Sequence, residues 1–265
     1  MSLQERIERM DKLHAAALDS ERISRLAIAV PGLCCDLAFA PYFNKRGVTN
    51  PSPNGILSPE RNSSLEYNLL VRNIVAIVDY IGVGDLIDSW SVPMYVRFKG
   101  KLSQHDNPVG FQSELPHVDP WSGEQPAGHR LSMYLTGDVE NNYVDLFDPP
   151  DNFDESWLAP LPSYEAGQHL VEHFRKVEHT PELNTIYIAD MCMVHQTVRK
   201  YDCDGRISLD VSFLMKGAPL VDVQPTSPSQ KSHKARMSHE QLRKCGTEFL
   251  FWFDSEHNWT IKDLT

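Results

Sequence analysis

The segment Arg206–Met215 reads RISLDVSFLM, and it decides the fold because apolar and polar residues alternate along it. Side chains two residues apart in a β-strand lie on the same face of the sheet. One face therefore carries Ile207, Leu209, Val211, Phe213 and Met215, and the other carries Arg206, Ser208, Asp210 and Ser212. The preceding strand-like run is apolar on both faces, which indicates a sheet covered on both sides. We therefore expect the polar face to line an internal cavity.

Further strands and helices are predicted on either side of this segment. The other strand-like runs are Met94–Leu102, Leu131–Leu135, Tyr143–Phe147 and Thr185–Val198. Clusters of Pro, Gly, Asn and Asp separate them, which is typical of antiparallel strands joined by loops. Helical periodicity occurs at residues 3–28, from about 58 to 81, and at about 163–176 and 240–252. The pattern predicts a mainly β protein with flanking α-helices, built as a β-sandwich or jelly roll.

We interpret the whole chain, 1–265, as a single domain. Residues 1–91 would form a helical N-terminal part, residues 92–217 the jelly-roll core, and residues 218–265 a C-terminal extension. The formal net charge of −11 at pH 7 argues against nucleic acid, whose phosphates need a basic surface, and against anionic membranes. The oligomeric state cannot be derived from the sequence.

The cysteines and the N-terminus indicate the compartment. The five cysteines have neither the spacing of a zinc knuckle nor that of a disulfide framework, so we expect them to be reduced. The N-terminal sequence MSLQERIERMDKLH has no apolar stretch of the kind found in a secretory signal. Both features predict a cytoplasmic protein.

Two separate segments carry side chains typical of metal ligands. In the first, LPHVDPW, His117 and Asp119 are two residues apart, so both side chains would point the same way from a strand. The second contains His195, within the run Thr185–Val198. Imidazole and carboxylate ligands suit an ion such as Fe(II). Each signal is weak alone, because one His-x-Asp pair is expected by chance among eleven histidines and a hydrogen-bonded core histidine would explain His195.

Taken together with the polar strand, these residues resemble a known motif. The chain has, in order, His117-x-Asp119, His195 and Arg206-x-Ser208. This arrangement resembles the 2-oxoglutarate/Fe(II)-dependent oxygenases over about residues 92–217. The resemblance implies a double-stranded β-helix, a cupin-like jelly roll with the metal inside.

The resemblance also implies a role for each of these residues. The two histidines and Asp119 would bind Fe(II), and no other side chain would be catalytic. Arg206 and Ser208 would bind the C5 carboxylate of the co-substrate 2-oxoglutarate, and O2 would be the second co-substrate. A carboxylate ligand at position 119 favours hydroxylation, or else desaturation or ring formation, over halogenation. The protein would then be a dioxygenase that oxidises a C–H bond of its substrate.

Several other residues are candidates for the walls of the site. Arg97 and Tyr134 lie on predicted strands and could contact 2-oxoglutarate. Tyr95, Trp121 and Asp210 could contact the substrate. Core packing explains Arg97, Tyr95 and Tyr134 equally well, and Asp210 could instead pair with an internal arginine. Trp121 opens the segment Trp121–Gly128, which could form a mobile lid or a plain surface loop.

The substrate is predicted only as a class. Residues 138–155, DVENNYVDLFDPPDNFDE, are densely acidic and would favour a cationic substrate if they bordered the mouth of the site. A solvated loop is the alternative explanation of this stretch. We expect a small polar, or cationic, metabolite of the kind found in natural-product biosynthesis.

Two alternative functions remain at the level of the sequence. His169, Glu172 and His173 match H-x-x-E-H, in which two histidines one helical turn apart bind the zinc of a metallopeptidase. A surface helix explains the same residues more simply. The second alternative is a metal-binding cupin-like protein without 2-oxoglutarate chemistry.

Overall fold

The computed structural model describes residues 1–16, 56–57, 61, 64–99, 112–183, 185–201, 203–223, 235–253 and 259–264. Two longer helices are α1 (Leu3–Ala16) and α2 (Ser64–Tyr80), and two single-turn helices are α3 (Gln168–Val171) and α4 (His239–Leu242). No helix in these ranges is both long and apolar enough to cross a membrane.

In the part of the chain that the structure describes, twelve strands make up most of the remaining regular structure. They are β1 (Ile56–Leu57), β2 (Ile87–Val92), β3 (Tyr95–Lys99), β4 (His129–Gly137), β5 (Asn142–Asp148), β6 (Arg175–Lys176), β7 (Ile186–Asp190), β8 (Val194–Arg199), β9 (Arg206–Met215), β10 (Ala235–Ser238), β11 (Phe249–Phe253) and β12 (Trp259–Asp263).

The strands form two sheets that contribute to the site, and all their pairs are antiparallel. Strand β9 is central in the larger sheet. On one side it pairs with β3 along its first half and with β2 along its second half. On the other side it pairs with β4, which in turn pairs with β7. The smaller sheet has the order β6–β5–β8. From β3 onward the chain crosses repeatedly between the sheets, since β4, β7 and β9 belong to the larger one and β5, β6 and β8 to the smaller one. This alternation defines a jelly roll, and it confirms the predicted fold class.

The two faces of β9 separate the apolar core from the polar interior. Its apolar residues, from Ile207 to Met215, pack with α2 in the main hydrophobic core, where Val71, Val75 and Val78 are fully buried. Its polar residues Arg206, Ser208 and Asp210 are also buried, although they point the other way, towards the smaller sheet. The polar face of this strand therefore lines the interior, as its alternation predicts.

Some predicted elements differ from the observed ones. The first helix is described over Leu3–Ala16, and the rest of its predicted span lies outside the described residues. The predicted helix at 163–176 is reduced to α3 and is followed by β6. The run predicted as one strand, Thr185–Val198, turns after Asp190, so that β7 and β8 enter different sheets.

The predicted C-terminal helix, Glu240–Trp252, is wrong. A capping box between Ser238 and Gln241 starts α4, which ends after one turn. Gly246 then adopts a φ of 79°, which favours glycine. The aromatic residues that follow form β11, which pairs with β12.

The larger sheet also uses strands outside the predicted core range of 92–217. Strand β1 and all of β2 except Val92 precede this range, and β10 follows it and pairs with β2. Strands β1 and β10 have only two and four residues, which are too few to show a clear alternation.

Candidate metal centre

His117 and His195 are held together by their own backbones. The His117 amide donates to the His195 carbonyl at 2.9 Å, and the His195 amide donates to the His117 carbonyl at 2.8 Å. The segment 115–121, which contains His117 and Asp119, is called the metal loop. The antiparallel bridge places it beside β8 at the edge of the smaller sheet. Side chains opposite one another in such a pair lie on the same face, and the two imidazole centroids are 4.2 Å apart.

The third side chain of the triad closes the group. Asp119 begins a single 3-10 turn, Asp119–Ser122, immediately after the bridge. Its Oδ1 lies 3.6 Å from Nε2 of His195. One ligand atom from each of His117, Asp119 and His195 lies within 4.8 Å of the others, so a single ion can contact all three. Within the described residues this is the one group of three such side chains.

The hydrogen bonds orient the imidazoles for metal binding. Nδ1 of His117 lies 2.7 Å from the carbonyl of Leu115, and Nδ1 of His195 lies 3.4 Å from that of Met193. Each Nε2 is thereby directed to the shared centre, because a backbone carbonyl at Nδ1 fixes the tautomer and orientation of a ligating histidine.

The electrostatics favour the ligand forms of these side chains. Burial, followed by the proximity of His195, lowers the pKa of His117 well below its ordinary value, and burial also lowers the pKa of His195. Burial alone would raise the pKa of Asp119, but His195, Arg130 and His117 hold it well below its usual range. At neutral pH the imidazoles are therefore neutral and the carboxylate is ionised, which is the state that binds a divalent cation.

The segment between β5 and β6, residues 149–174, is called the insertion, and it packs against the metal loop. Tyr164 stacks on the imidazole of His117, with ring centroids 3.8 Å apart. Gln168 donates to the carbonyls of Pro116 and Tyr164, each at 2.8 Å. Neither Tyr164 nor Gln168 was predicted as a site residue, because each is far in sequence from the motif.

Trp121 is fixed by the same insertion. Its side chain is buried, and its Nε1 donates to the carbonyl of Trp157 at 2.7 Å. Its ring also packs directly against Gly167, where an added Cβ would lie 2.4 Å from ring atoms. These contacts place the side chain of Trp121 in the core, a role that was not predicted for it from the sequence.

Arg206 lies fully inside the jelly roll with part of its guanidinium unsatisfied. Only 2% of the residue is exposed, and its Nε donates to Oδ1 of Asn142 at 2.9 Å. Its Cζ lies 4.9 Å from the ring centroid of Tyr134, which is a cation–π contact. Its Nη1 is buried and has no hydrogen-bond partner within the described residues. Burial lowers the pKa of Arg206, so this cation would be stabilised by an anion.

Asp210 occupies the centre of the polar face and pairs with arginines. Its Oδ1 accepts from Nη2 of Arg130 at 2.6 Å, and its Oδ2 lies 3.1 Å from Nε of Arg97. Ser208 also donates to Oδ2, at 3.3 Å. Pairing with an internal arginine was one of the two roles left open for Asp210, and both of its oxygens are engaged in this way.

Arg97 also contacts the second candidate on β3. The guanidinium of Arg97 lies over the ring of Tyr95, with Cζ 5.2 Å from the centroid. Burial raises the pKa of Tyr95 to about 12, so its hydroxyl stays protonated at neutral pH.

Arg130 was not predicted as a site residue, although the alternation along β4 indicates that it lies on a polar face. Strand β4 reads HRLSMYLTG, in which Arg130, Ser132 and Tyr134 alternate with apolar residues, as the polar residues of β9 do. Because β4 lies beside β9, the polar faces of the two strands form one surface. Pairing the two alternating patterns would have placed Arg130 inside.

A cavity opens between the two sheets beside the triad. Its volume is about 470 Å³, counting the space continuous with solvent. Asp119 and His195 lie at its wall together with Arg130 and Tyr134. The rest of the lining is a mixture of apolar, aromatic and polar side chains: Ser132, Val144, Leu146, His179, Tyr187, Ala189, Asp190, Met191 and Met193.

Several carboxylates of the acidic stretch 138–155 have local structural partners. Asp138 accepts from the backbone amides of Asn141 and Asp204, and Asp154 accepts from the amide of Ser156. Asp145 pairs with Lys176 at 2.8 Å. These bonds account for the carboxylates in terms of turns and strand pairing.

The H-x-x-E-H segment has a different setting from the triad. His169, Glu172 and His173 are exposed, and the helix that contains the first of them, α3, has a single turn. The His173 ring packs 5.5 Å from the ring centroid of Trp157. Within the described part of the chain, these three side chains do not form a group that could hold a metal ion.

The fold and the triad define a jelly roll with an internal two-histidine, one-carboxylate centre, a ligand set used by non-haem Fe(II) oxygenases. Comparison of the sequence with protein-family models found no match, and neither did comparison with curated proteins.

Solved structures are similar to this chain at low identity. One is the non-haem α-ketoglutarate-dependent carbocyclase SnoK from nogalamycin biosynthesis, with 12% identity and a TM-score of 0.49 over 83% of this chain and 89% of that chain. Another is the epimerase SnoN in complex with Fe3+, α-ketoglutarate and nogalamycin RO, with 14% identity and a TM-score of 0.45 over 86% and 98%. A third is EctD from S. alaskensis with 2-oxoglutarate and 5-hydroxyectoine, with 14% identity and a TM-score of 0.45 over 77% and 71%. At these identities the similarity concerns the fold alone.

Proposed function

We propose that this protein is a non-haem Fe(II) oxygenase that uses 2-oxoglutarate and O2 to oxidise a small polar metabolite. The observation that carries the proposal is the combination of a metal-ligand triad with a buried arginine that has an unsatisfied donor in the same interior. The His117, Asp119 and His195 side chains would hold the ion. When bound, Fe(II) with 2-oxoglutarate and O2 would supply an oxidant for a substrate C–H bond, while the co-substrate is converted to succinate and CO2.

The residues present fit both groups. Two neutral imidazoles and one carboxylate suit Fe(II), and three ligands leave positions for exogenous molecules. The interior also holds the guanidiniums of Arg97, Arg130 and Arg206 against the carboxylates of Asp119 and Asp210. This excess of positive charge would grow with a divalent metal, so the interior favours a dianion such as 2-oxoglutarate.

The chain's own groups have defined tasks in this proposal. Arg206 would bind the C5 carboxylate through its unsatisfied Nη1, while Asn142 holds its Nε and Tyr134 supports the flat face of the guanidinium. Because the surroundings are buried, the ionic contact is stronger than in water, and the sheets keep solvent from the reacting groups. Hydroxylation, desaturation and ring formation all remain compatible with this arrangement. We also propose that the protein is cytoplasmic, since free thiols such as those of Cys192, Cys203 and Cys245 persist in a reducing compartment.

Anaerobic titration with Fe(II) and 2-oxoglutarate tests the proposal. We expect wild-type protein to develop the weak visible charge-transfer band of this family and His117→Ala to lack it. We expect Arg206→Ala to retain metal binding and to lose 2-oxoglutarate affinity and succinate production. Arg175→Ala is the matched control, because the side chain of Arg175 is 86% exposed on the surface.

The same titrations distinguish the proposed oxygenase from a cupin-like metal-binding protein and from a zinc peptidase. Unchanged 2-oxoglutarate turnover in Arg206→Ala would refute the assigned co-substrate site. A wild-type protein that binds metal but not 2-oxoglutarate would favour the cupin-like alternative. Loss of bound metal in His169→Ala and His173→Ala, but not in His117→Ala, would favour the zinc peptidase.

A further inference from the structure

We infer that Arg130 is a positioning residue that restricts Asp119 to one metal-binding oxygen. The inference rests on the proposed function only in treating Asp119 as a metal ligand. It concerns a residue that is not one of the three proposed ligands and that contributes to the proposed function only as part of the positive charge of the interior.

The two oxygens of Asp119 face different partners. Oδ1 lies 3.6 Å from Nε2 of His195 and so faces the shared centre of the triad. Oδ2 lies 3.9 Å from Nη1 of Arg130, which is the distance of an ion pair and longer than a hydrogen bond. The carboxylate is therefore polarised, with one oxygen directed to the metal position and the other to a cation.

Arg130 is itself held in place from the opposite side. Its Nη2 donates to Oδ1 of Asp210 at 2.6 Å, and its side chain is only 13% exposed. Asp210 lies in the middle of β9, opposite Tyr95 on β3 and Ser132 on β4, so the contact fixes the guanidinium to the centre of the larger sheet. Burial alone would lower the pKa of Arg130, but Asp210 and Asp119 raise it, and the side chain stays charged.

The position of Arg130 affects how Asp119 would bind a metal ion. A carboxylate can bind a metal through one oxygen or through both. A cation fixed beside Oδ2 competes for that oxygen, so Asp119 offers Oδ1 alone. Each of the three residues would then offer the ion a single atom, which would leave room for a chelating co-substrate and O2.

Outer contacts of this kind commonly change metal affinity by about 10- to 100-fold. The test uses Co(II) added to metal-free protein, because Co(II) reports its coordination through visible absorption and requires no turnover. We expect Arg130→Met to tighten Co(II) binding by up to about this factor, because a cation beside the metal position is lost and Oδ2 of Asp119 becomes available, and to alter the visible spectrum. Arg130→Lys keeps the charge and should stay closer to the wild type in both measurements. Arg175→Met, at an exposed arginine, should match the wild type in both measurements.

A second variant covers the case in which Arg130→Met does not fold. Arg130→Gln keeps a polar donor near Asp210 but is uncharged and too short to reach Asp119 as well, so we expect the same gain of affinity and the same spectral change. A folded Arg130→Met or Arg130→Gln protein with wild-type Co(II) affinity and spectrum would overturn the inference. Separate titration with 2-oxoglutarate distinguishes the two proposals, since failure of the wild type to bind it would reject the proposed function and leave the Co(II) result intact.

Discussion

Tyr164 lies parallel to His117, with ring centroids 3.8 Å apart and ring planes inclined by 16°. The tyrosine belongs to the insertion after β5, while the histidine belongs to the metal loop, so the contact joins two distant parts of the chain. Stacking of this kind is worth about 0.5–1.5 kcal/mol beyond burial. It fixes the plane of an imidazole whose Nδ1 is already held by the carbonyl of Leu115.

We predict that Tyr164→Ala weakens metal binding because His117 can then rotate. The stacking energy corresponds to a loss of about 2- to 10-fold in Co(II) affinity. Tyr164→Phe keeps the aromatic ring and should remain close to the wild type. Titration of the metal-free proteins measures both constants. Equal affinities for the alanine variant and the wild type would show that the stack does not position His117.

Asn142 provides a test of how Arg206 is oriented. Its Oδ1 accepts from Nε of Arg206, and its Nδ2 donates to the carbonyls of Lys99 and Asp204. We predict that Asn142→Ala weakens 2-oxoglutarate binding, because a buried hydrogen bond to a charged group contributes about 1.5–3 kcal/mol. Asn142→Asp should weaken it further, since a carboxylate at this position neutralises the guanidinium.

The two Asn142 variants control for each other. Both remove the amide donors to Lys99 and Asp204, so the difference between them isolates the added negative charge. Calorimetric titration with 2-oxoglutarate measures the effect, and Co(II) affinity should be unchanged in both. If Asn142→Asp bound 2-oxoglutarate as well as Asn142→Ala, the anion would not lie at Arg206.

The triad could be proposed from the sequence because each of its residues sits in a recognisable local pattern. The His117-x-Asp119 pair and the alternation of β9 are short-range features, and strand geometry alone predicts which side chains share a face. The jelly roll follows from the same alternation repeated along the chain. What the patterns could not give is the pairing between strands, which depends on contacts far apart in sequence.

Arg130 and Tyr164 show why the rest of the site was missed. The role of Arg130 becomes visible only when β4 is placed beside β9, and that of Tyr164 only when the insertion folds back over the metal loop. The C-terminal helix failed for a different reason. The residues at its start form the single turn of α4, but the aromatic residues of Phe249–Phe253 favour a strand, and they pair with β12.

The buried ion pair of Arg6 and Asp190 attaches α1 to the end of β7. Nη1 of Arg6 donates to Oδ1 of Asp190 at 2.5 Å and to the carbonyl of Pro126 at 2.8 Å, and the guanidinium also pairs with Glu155. Arg6 is 1% exposed and Asp190 is 5% exposed. We predict that Arg6→Met lowers the free energy of unfolding by about 3–5 kcal/mol, because it leaves a buried carboxylate uncompensated.

Urea denaturation provides the measurement for Arg6→Met. Lys12→Met on the exposed face of the same helix is the control and should change stability by no more than about 0.5 kcal/mol. The double variant Arg6→Met with Asp190→Asn should recover part of the loss, since no charge is then left unpaired at Asp190. A change below about 1 kcal/mol in Arg6→Met would mean that the pair adds little to stability.

His129 predicts how stability depends on pH. It is fully buried, and its ring lies 5.3 Å from that of Phe213. Asp190 faces it from β7, with Oδ2 at 3.8 Å from Nε2, and Arg6 and Arg9 face it from α1. Burial lowers the pKa of His129 to about 4, an effect that Asp190 opposes and the two arginines reinforce.

The direction of the pH effect follows from the pKa of His129 in the unfolded and folded chains. The unfolded chain protonates this histidine near its ordinary pKa of 6.5, whereas the folded chain does so only near 4. Between these values the unfolded state binds more protons, so stability is complete above pH 6.5 and is lost as the pH falls towards 4. The shift corresponds to a loss of about 3 kcal/mol from this residue.

Replacing His129 with a residue that does not titrate should remove this contribution. His129→Phe preserves a flat ring at a position where the imidazole nitrogens form no hydrogen bond within the described residues. We expect its unfolding free energy to fall less steeply between pH 6.5 and pH 4 than that of the wild type, whatever its absolute stability. His14→Phe, at an exposed position of α1, serves as the control and should keep the wild-type slope. Parallel pH profiles for His129→Phe and the wild type would mean that His129 titrates equally in both states, and the neutral buried imidazole would then be the wrong description of the native protein.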